Sequence, residues 1–86
     1  MSKIIIDVRE PFEFMIGHVK GAINIPPAKL MAGAAKLQGV PKNAEIILYC
    51  RTGSRSAVAA NILTSLGYTN LTNGINKDHV KARFLD

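Results

Sequence analysis

Cysteine is nearly absent from this chain. Its 86 residues include a single cysteine, Cys50, and two histidines. One cysteine excludes an internal disulfide, and one cysteine with two histidines cannot assemble a typical zinc site. The chain has no second cysteine that could resolve a covalent adduct on Cys50. Such an adduct would therefore need an acceptor from outside the chain.

Tryptophan is absent, aromatic residues make up 6% of the chain, and no dense basic run occurs, although the net charge is +5. Nucleic-acid binding usually relies on a concentrated basic surface with aromatic side chains for stacking. We therefore expect no nucleic-acid partner. The scattered positive charge would still raise the rate at which a small anion meets the protein.

Long apolar runs are missing as well. No stretch approaches the roughly 20 residues that a helix needs to cross a bilayer, so we expect no membrane partner. Asp7 and Arg9 interrupt the apolar start of the chain too early for a signal peptide. These features predict a cytoplasmic protein, or a periplasmic one if a signal peptide was removed before this sequence begins.

The apolar patterning predicts one α/β domain over residues 1–86, near the lower size limit for a self-sufficient core. Short strands are expected at residues 3–8, 22–25, 44–49 and 68–72, with helices at 11–16, 28–37 and 55–66 and a last helix capped by Asn76. Strands and helices that alternate in this way form a small three-layer domain. Its central parallel sheet of about four strands is flanked by helices.

Two details of this pattern can be tested against a structure. The helix over residues 55–66 is expected to carry an apolar stripe formed by Val58, Ile62 and Leu66 and flanked by Ala59 and Leu63. Asn73 and Gly74 are expected to form a turn after the last strand.

The most informative segment is Cys50–Arg55, which joins a predicted strand to a predicted helix. This order places a thiol above converging loop amides, at the positive end of a helix dipole and between Arg51 and Arg55. Each of these features stabilises the thiolate and lowers the thiol pKa. The segment therefore predicts a nucleophilic thiolate that attracts anions. An inert buried thiol, the common fate of a lone cysteine, would not account for the loop and its arginines.

Three segments resemble the rhodanese homology domain in their order and spacing: Ile6–Pro11, Gly17–Pro26 and Tyr49–Ser56. The match runs from about residue 4 to residue 74, and the short chain is similar to single-domain rhodaneses of the phage shock protein E type. The strand and helix that many members carry before the first segment are missing, as are the usual Gly-Gly and tryptophan after the last strand. The resemblance therefore implies a four-stranded core in which the first strand is central.

The resemblance implies a thiosulfate sulfurtransferase that needs neither a metal nor an organic cofactor. Cys50 would take the outer sulfur of a small anionic donor such as thiosulfate as a persulfide. It would then pass this sulfur to cyanide or to a small-molecule or protein thiol. Arg55 is implied to anchor the donor, and we expect the protein to act as a monomer. The implied donor-binding loop consists of Arg51, Thr52, Gly53, Ser54 and Arg55.

Other polar residues near the strand ends have expected supporting roles. Asp7 and Arg9 would bond each other or the loop backbone, although Asp7 could instead pair with Arg51. His18 is expected to bond a backbone carbonyl or Glu13 and not to act as a base.

Two other functions remain open. A cysteine phosphatase or arsenate reductase also uses a cysteine–loop–arginine cradle. Five residues separate cysteine and arginine in the phosphatases, whereas four separate Cys50 from Arg55 in this chain. A smaller ring of amides suits one sulfur atom better than a tetrahedral phosphate. A non-catalytic rhodanese-like binding or regulatory module is the other alternative, and the presence of Cys50 in its arginine-bearing loop argues against it.

Overall fold

A computed structural model describes residues 3–85. The strands form one parallel sheet in the order β2-β1-β3-β4, where β1 spans Ile4–Asp7, β2 Ile23–Asn24, β3 Ile46–Cys50 and β4 Leu71–Asn76. The first strand of the chain is an inner strand of the sheet. The fold is thus the small parallel α/β architecture that the sequence predicts.

Helices connect and cover these strands. They are α1 (Pro11–Ile16), α2 (Pro27–Met31), α3 (Ser54–Ser65) and α4 (Lys77–Phe84), with a short 3-10 helix at Ala35–Leu37. Over residues 3–85, no helix combines the length and apolar character that crossing a membrane requires.

The third strand divides the core into two halves. Every residue of β3 is buried, and successive side chains point to opposite faces of the sheet. Leu48 and Cys50 belong to the cluster that contains Leu63 of α3. Ile47 belongs to the cluster on the other face, which contains Val80 of α4. This alternation produces the three layers of helix, sheet and helix.

The predicted single helix over residues 28–37 is wrong. The helix α2 ends at Met31, and a separate 3-10 helix follows. Gly33 and Ala34 lie between them with φ angles of 109° and 52°. Left-handed backbone cannot continue a right-handed helix, so the segment is broken there. Met31, the last residue of α2, is 76% exposed.

The apolar face predicted for α3 is confirmed only at its flanking residues, Ala59 and Leu63, and is wrong at its centre. Val58 is 59% exposed and Leu66 is 37% exposed, whereas the buried residues of this helix are Ser56, Ala59 and Leu63. The helix thus turns two small side chains and one leucine toward the sheet. This rotation brings Ser56 over the end of β3, where polar contacts hold it.

The expected turn at Asn73 and Gly74 lies inside β4 instead. There β3 pairs first with Asn73 and then with Ile75, which leaves Gly74 as the extra residue of a bulge. A Cβ atom on Gly74 would lie 2.6 Å from Cγ2 of Val80. The close approach of α4 to the sheet therefore depends on a glycine at this position.

Candidate active site

Cys50 is the last residue of β3, so its thiol lies at the carboxyl edge of the sheet. The chain turns at once through Gly53, whose φ of 94° is left-handed, and α3 begins at the next residue. The backbone N–H groups of Gly53 and Ser56 donate to Cys50 Sγ over 3.1 Å and 3.4 Å. Loop amides thus converge on the sulfur, as the order of strand, loop and helix predicts.

These contacts change the acidity of the thiol. Burial is the largest single influence and by itself raises the pKa of Cys50. The Ser56 hydroxyl and the N–H groups of Ser56, Thr52 and Gly53 together outweigh burial and lower the pKa from 9.0 to about 7. Because hydrogen bonds to a thiolate favour the ionised form, a substantial fraction of Cys50 is ionised near neutral pH.

Ser56 is a site residue that the sequence analysis did not identify. It is fully buried, and its Oγ lies 3.5 Å from Cys50 Sγ and 2.6 Å from Oδ1 of Asn73. The Asn73 amide is oriented by two further bonds, since Nδ2 donates to the Gly53 carbonyl and Oδ1 accepts from the Ile75 N–H. The position of Ser56 in the first turn of α3 could have indicated it. Its partner Asn73 lies in β4, and nothing in the sequence around Asn73 indicates that it contacts Ser56.

A second buried network lies beside the loop. Asp7 is fully buried and accepts two hydrogen bonds from Nε of Arg9, at 2.9 Å and 3.1 Å, and one from Nη2 at 2.7 Å. The Tyr49 hydroxyl donates to Asp7 over 2.9 Å and accepts from the Val19 N–H over 3.0 Å. Asp7 and Arg9 are thus bonded to each other, which is one of the expected arrangements. The alternative pairing of Asp7 with Arg51 does not form.

The two arginines of the loop have different surroundings. Arg55 forms a salt bridge with Glu13 of α1, with Nη1–Oε1 and Nη2–Oε2 distances of 2.7 Å and 3.1 Å. This pairing is the main reason that the pKa of Glu13 is lowered from 4.5 to about 2. Arg51 forms no salt bridge with any residue in the range 3–85. The role of Arg55 as donor anchor stays a prediction, in which an anion would compete with Glu13.

Cys50 is one of the residues that line a cavity of about 310 Å³ at the carboxyl edge of the sheet. Three cationic side chains line it, although Arg55 does not: Arg9, Arg51 and Lys77, together with Cys50, Asn76 and Asp78. Arg55 lines a different cavity of about 340 Å³, between α2 and α3, whose other walls are mostly apolar. The three cations that line the cavity beside Cys50 therefore follow three different strands, β1, β3 and β4.

The remaining predicted residues have local partners. The hydroxyls of Thr52 and Ser54 lie 3.2 Å apart and are exposed. Nδ1 of His18 lies 2.8 Å from the Phe14 carbonyl, which confirms the expected backbone contact. Over residues 3–85, no group of three histidine, cysteine, aspartate or glutamate side chains could hold a metal ion.

A small parallel α/β sheet that ends in a cysteine cradled by loop amides defines a class of domain, and the comparisons with known proteins identify it. The sequence matches the model of the rhodanese-like domain over residues 1–79. The chain belongs to the rhodanese-like domain family.

Similar proteins include two that are named as sulfurtransferases. The thiosulfate sulfurtransferase PspE of Escherichia coli is 42% identical over 69 residues, which cover 79% of this chain and 64% of that protein. The thiosulfate:glutathione sulfurtransferase of Saccharomyces cerevisiae is 34% identical over 77 residues, covering 78% and 55%. The chain thus spans less than two thirds of the length of these relatives.

A solved structure shares the fold over almost its full length. A rhodanese with anions from E. coli superimposes with a TM-score of 0.79 and 35% sequence identity, covering 91% of each chain. This agreement extends the family assignment from the sequence to the arrangement of strands and helices.

Proposed function

We propose that this protein is a sulfurtransferase that moves a sulfane sulfur from thiosulfate or a similar anionic donor to a thiophilic acceptor through a persulfide on Cys50. The observation that carries the proposal is the surroundings of Cys50 Sγ. Two backbone N–H groups and the Ser56 hydroxyl surround it, the pKa of the thiol is about 7, and Cys50 lines a cavity that three cationic residues also line.

In the first half-reaction the Cys50 thiolate attacks the outer sulfur of thiosulfate. A bond forms between Sγ and that sulfur while the sulfur–sulfur bond of the donor breaks. Its electron pair leaves with sulfite. The products are a Cys50 persulfide anion and sulfite, so charge is conserved and no outside oxidant is needed. The N–H groups of Gly53 and Ser56 stabilise negative charge on the sulfur without moving, because the loop already holds them in place.

In the second half-reaction an acceptor attacks the outer sulfur of the persulfide. With cyanide the product is thiocyanate, and with a thiolate it is a new persulfide. In both cases the electron pair of the broken sulfur–sulfur bond returns to Cys50 as thiolate. The chain has no second cysteine, so the acceptor must come from outside and the kinetics are ping-pong. The relative from yeast, named for glutathione, supports a low-molecular-weight thiol as acceptor.

The cysteine phosphatase or arsenate reductase alternative has weaker support. The arginine that would hold a phosphate is Arg55, and both of its terminal nitrogens are bonded to Glu13. The loop amides meet around one sulfur atom, with Gly53 N and Ser56 N both bonded to Sγ. A non-catalytic binding module would need neither a cationic cavity nor a thiol of lowered pKa.

The experiment is the intact mass of the reduced protein before and after thiosulfate. We expect a gain of one sulfur atom that cyanide removes with formation of thiocyanate. The matched control is Cys50→Ser, which replaces sulfur by oxygen in the same cradle and should gain nothing. A protein that gains no sulfur would contradict the proposal. Turnover of a phosphate ester that depends on Cys50 would favour the phosphatase alternative.

A further inference from the structure

The cavity in front of Cys50 contains a cation that comes from outside the cysteine loop. In the pairing of β3 with β4, Cys50 lies beside Asn76. The residue that follows each of these strands is basic: Arg51 follows Cys50, and Lys77 follows Asn76. Both residues line the cavity of about 310 Å³. The bulge at Gly74 sets this register and so brings Lys77 to the carboxyl edge of the sheet.

Lys77 reaches toward the backbone at the end of α1. Its Nζ lies 3.3 Å from the position that a Cβ on Gly17 would occupy. The Gly17 carbonyl accepts a hydrogen bond from Nη2 of Arg9 over 2.6 Å. The ammonium group of Lys77 therefore lies close to the Gly17 backbone, whose carbonyl binds Arg9.

The cations of this cavity differ in how far they are neutralised. Arg9 is paired with buried Asp7 at 2.7 Å, whereas Arg51 and Lys77 form no salt bridge with any residue in the range 3–85. Asp78 also lines the cavity and is exposed in the first turn of α4. Two cations without a salt bridge thus line the same cavity as one carboxylate and Cys50.

The position of Lys77 is unfavourable for the helix that contains it. Lys77 is the first residue of α4, directly after the Asn76 cap, and a helix N-terminus repels positive charge. Lys77 forms no hydrogen bond through its side chain within residues 3–85 that would offset this repulsion. A charge placed against the local rule and facing the site is a candidate for a functional role.

We propose that Lys77 and Arg51 form the subsite that holds the anionic end of the sulfur donor, its sulfonate oxygens, while the donor's outer sulfur meets Cys50. Arg55 then holds α1 against the loop through Glu13. This inference rests on the proposed function for the identity of the ligand, but the attraction of anions to Cys50 does not depend on it.

The first test uses two alkylating reagents of nearly equal size, iodoacetate, which is an anion, and iodoacetamide, which is neutral. The ratio of their rates at Cys50 reports the local positive potential, because changes in thiolate fraction affect both reagents alike. We expect Lys77→Gln to lower the iodoacetate-to-iodoacetamide ratio by roughly fivefold to tenfold, the low end of the effect of a focused field. Lys81→Gln, an exposed position on the same helix with the same change in net charge, should leave the ratio close to its original value.

The second test follows persulfide formation from thiosulfate in single turnovers. Lys77→Gln should lower the second-order rate constant by roughly tenfold and flatten its dependence on ionic strength. Asp78→Asn removes a negative charge from the same cavity, so it should change both quantities in the opposite direction. The free energy of unfolding should not fall in Lys77→Gln, because the exchange removes a cation from a helix N-terminus.

The outcomes separate the two proposals. Equal alkylation ratios in Lys77→Gln and Lys81→Gln would overturn the anion subsite, even if the protein makes a persulfide. A ratio that falls only in Lys77→Gln supports the subsite, even if thiosulfate leaves no sulfur on Cys50. In that case the proposed function fails and another anion is the ligand.

Discussion

Glu13 and Arg55 are joined by two hydrogen bonds, of 2.7 Å and 3.1 Å, that link the short helix α1 to the first turn of α3. The Arg55 side chain is 34% exposed and that of Glu13 is 12% exposed. The pair packs α1 against the end of the Cys50–Arg55 loop. It thus connects the segment that follows β1 with the segment that follows β3.

This ion pair predicts a specific acid response. The pKa of Glu13 is lowered to about 2, so the pair contributes stability above the unfolded value of 4.5 and loses it as the pH falls toward 2. Glu13→Gln should remove this part of the pH dependence. It should also cost up to about 1 kcal/mol at neutral pH, since solvent screens a partly exposed pair. Urea unfolding of both proteins between pH 7 and pH 2 measures this difference.

A double-mutant cycle with Arg55→Gln isolates the pair from other effects of each substitution. The sum of the stability losses in the two single variants should exceed the loss in the double variant. Strict additivity would mean that the contact contributes nothing to stability.

The contact between Ser56 and Cys50 predicts a change in thiol acidity. The Ser56 hydroxyl helps to lower the pKa of Cys50 when its single proton turns from Asn73 Oδ1 to the thiolate, so Ser56→Ala should raise this pKa above about 7. A hydrogen bond to a charged group contributes about 1.5–3 kcal/mol, which corresponds to a rise of roughly one to two pH units. The rate of alkylation by iodoacetamide, followed from pH 5 to pH 10, gives this pKa directly.

Two variants serve as controls for this measurement. Ser56→Thr keeps the hydroxyl and should retain most of the low pKa. Ser65→Ala removes a hydroxyl that bonds the Ile62 carbonyl at the far end of the same helix. It should leave the pH dependence of alkylation unchanged. An unchanged profile in Ser56→Ala would remove Ser56 from the set of residues that position the thiolate.

The buried ion pair beneath the loop predicts a large loss of stability on substitution. Asp7→Asn removes the charge that compensates Arg9, whose side chain is 11% exposed. Breaking a buried pair from one side costs about 3–5 kcal/mol, because the remaining charge stays buried. The free energy of unfolding in urea measures this loss.

A milder change tests the same network from the neighbouring strand. Tyr49→Phe removes a hydroxyl that is bonded to Asp7 and to the Val19 N–H, and it should cost about 1–3 kcal/mol. Tyr68→Phe is the matched control, because its hydroxyl makes one longer bond of 3.3 Å to the Leu37 carbonyl. A larger loss in Tyr68→Phe than in Tyr49→Phe would contradict the importance of this network.

The bulge in β4 predicts that Gly74 does not tolerate a side chain. In Gly74→Ala the new Cβ would lie 2.6 Å from Cγ2 of Val80 and 2.9 Å from Cγ2 of Ile47. Such overpacking costs about 1–3 kcal/mol. The combination Gly74→Ala with Val80→Ala should lose less stability than the sum of its two single variants, because the smaller residue makes room. Thermal unfolding of the four proteins tests this expectation.

The sequence determined the fold class and the place of the thiol in the fold. Strands such as β1 and β3 are short, apolar and separated by helix-length segments, and such local periodicity leaves few arrangements other than a parallel sheet. The position of Cys50 at the end of a strand and before a helix predicted the amide cradle, because the strand end, loop and helix start are consecutive in the chain.

Tertiary structure decided which side chains complete the site. The pairing of Arg55 with Glu13, the contact of Ser56 with Asn73 and the position of Lys77 beside Cys50 each join residues far apart in sequence, so periodicity carries no signal for them. The bulge at Gly74 is the physical reason for the last of these, because it fixes the register that places the start of α4 at the thiol. The face that α3 turns to the sheet likewise combines the polar contacts of Ser56 with the packing of Ala59 and Leu63.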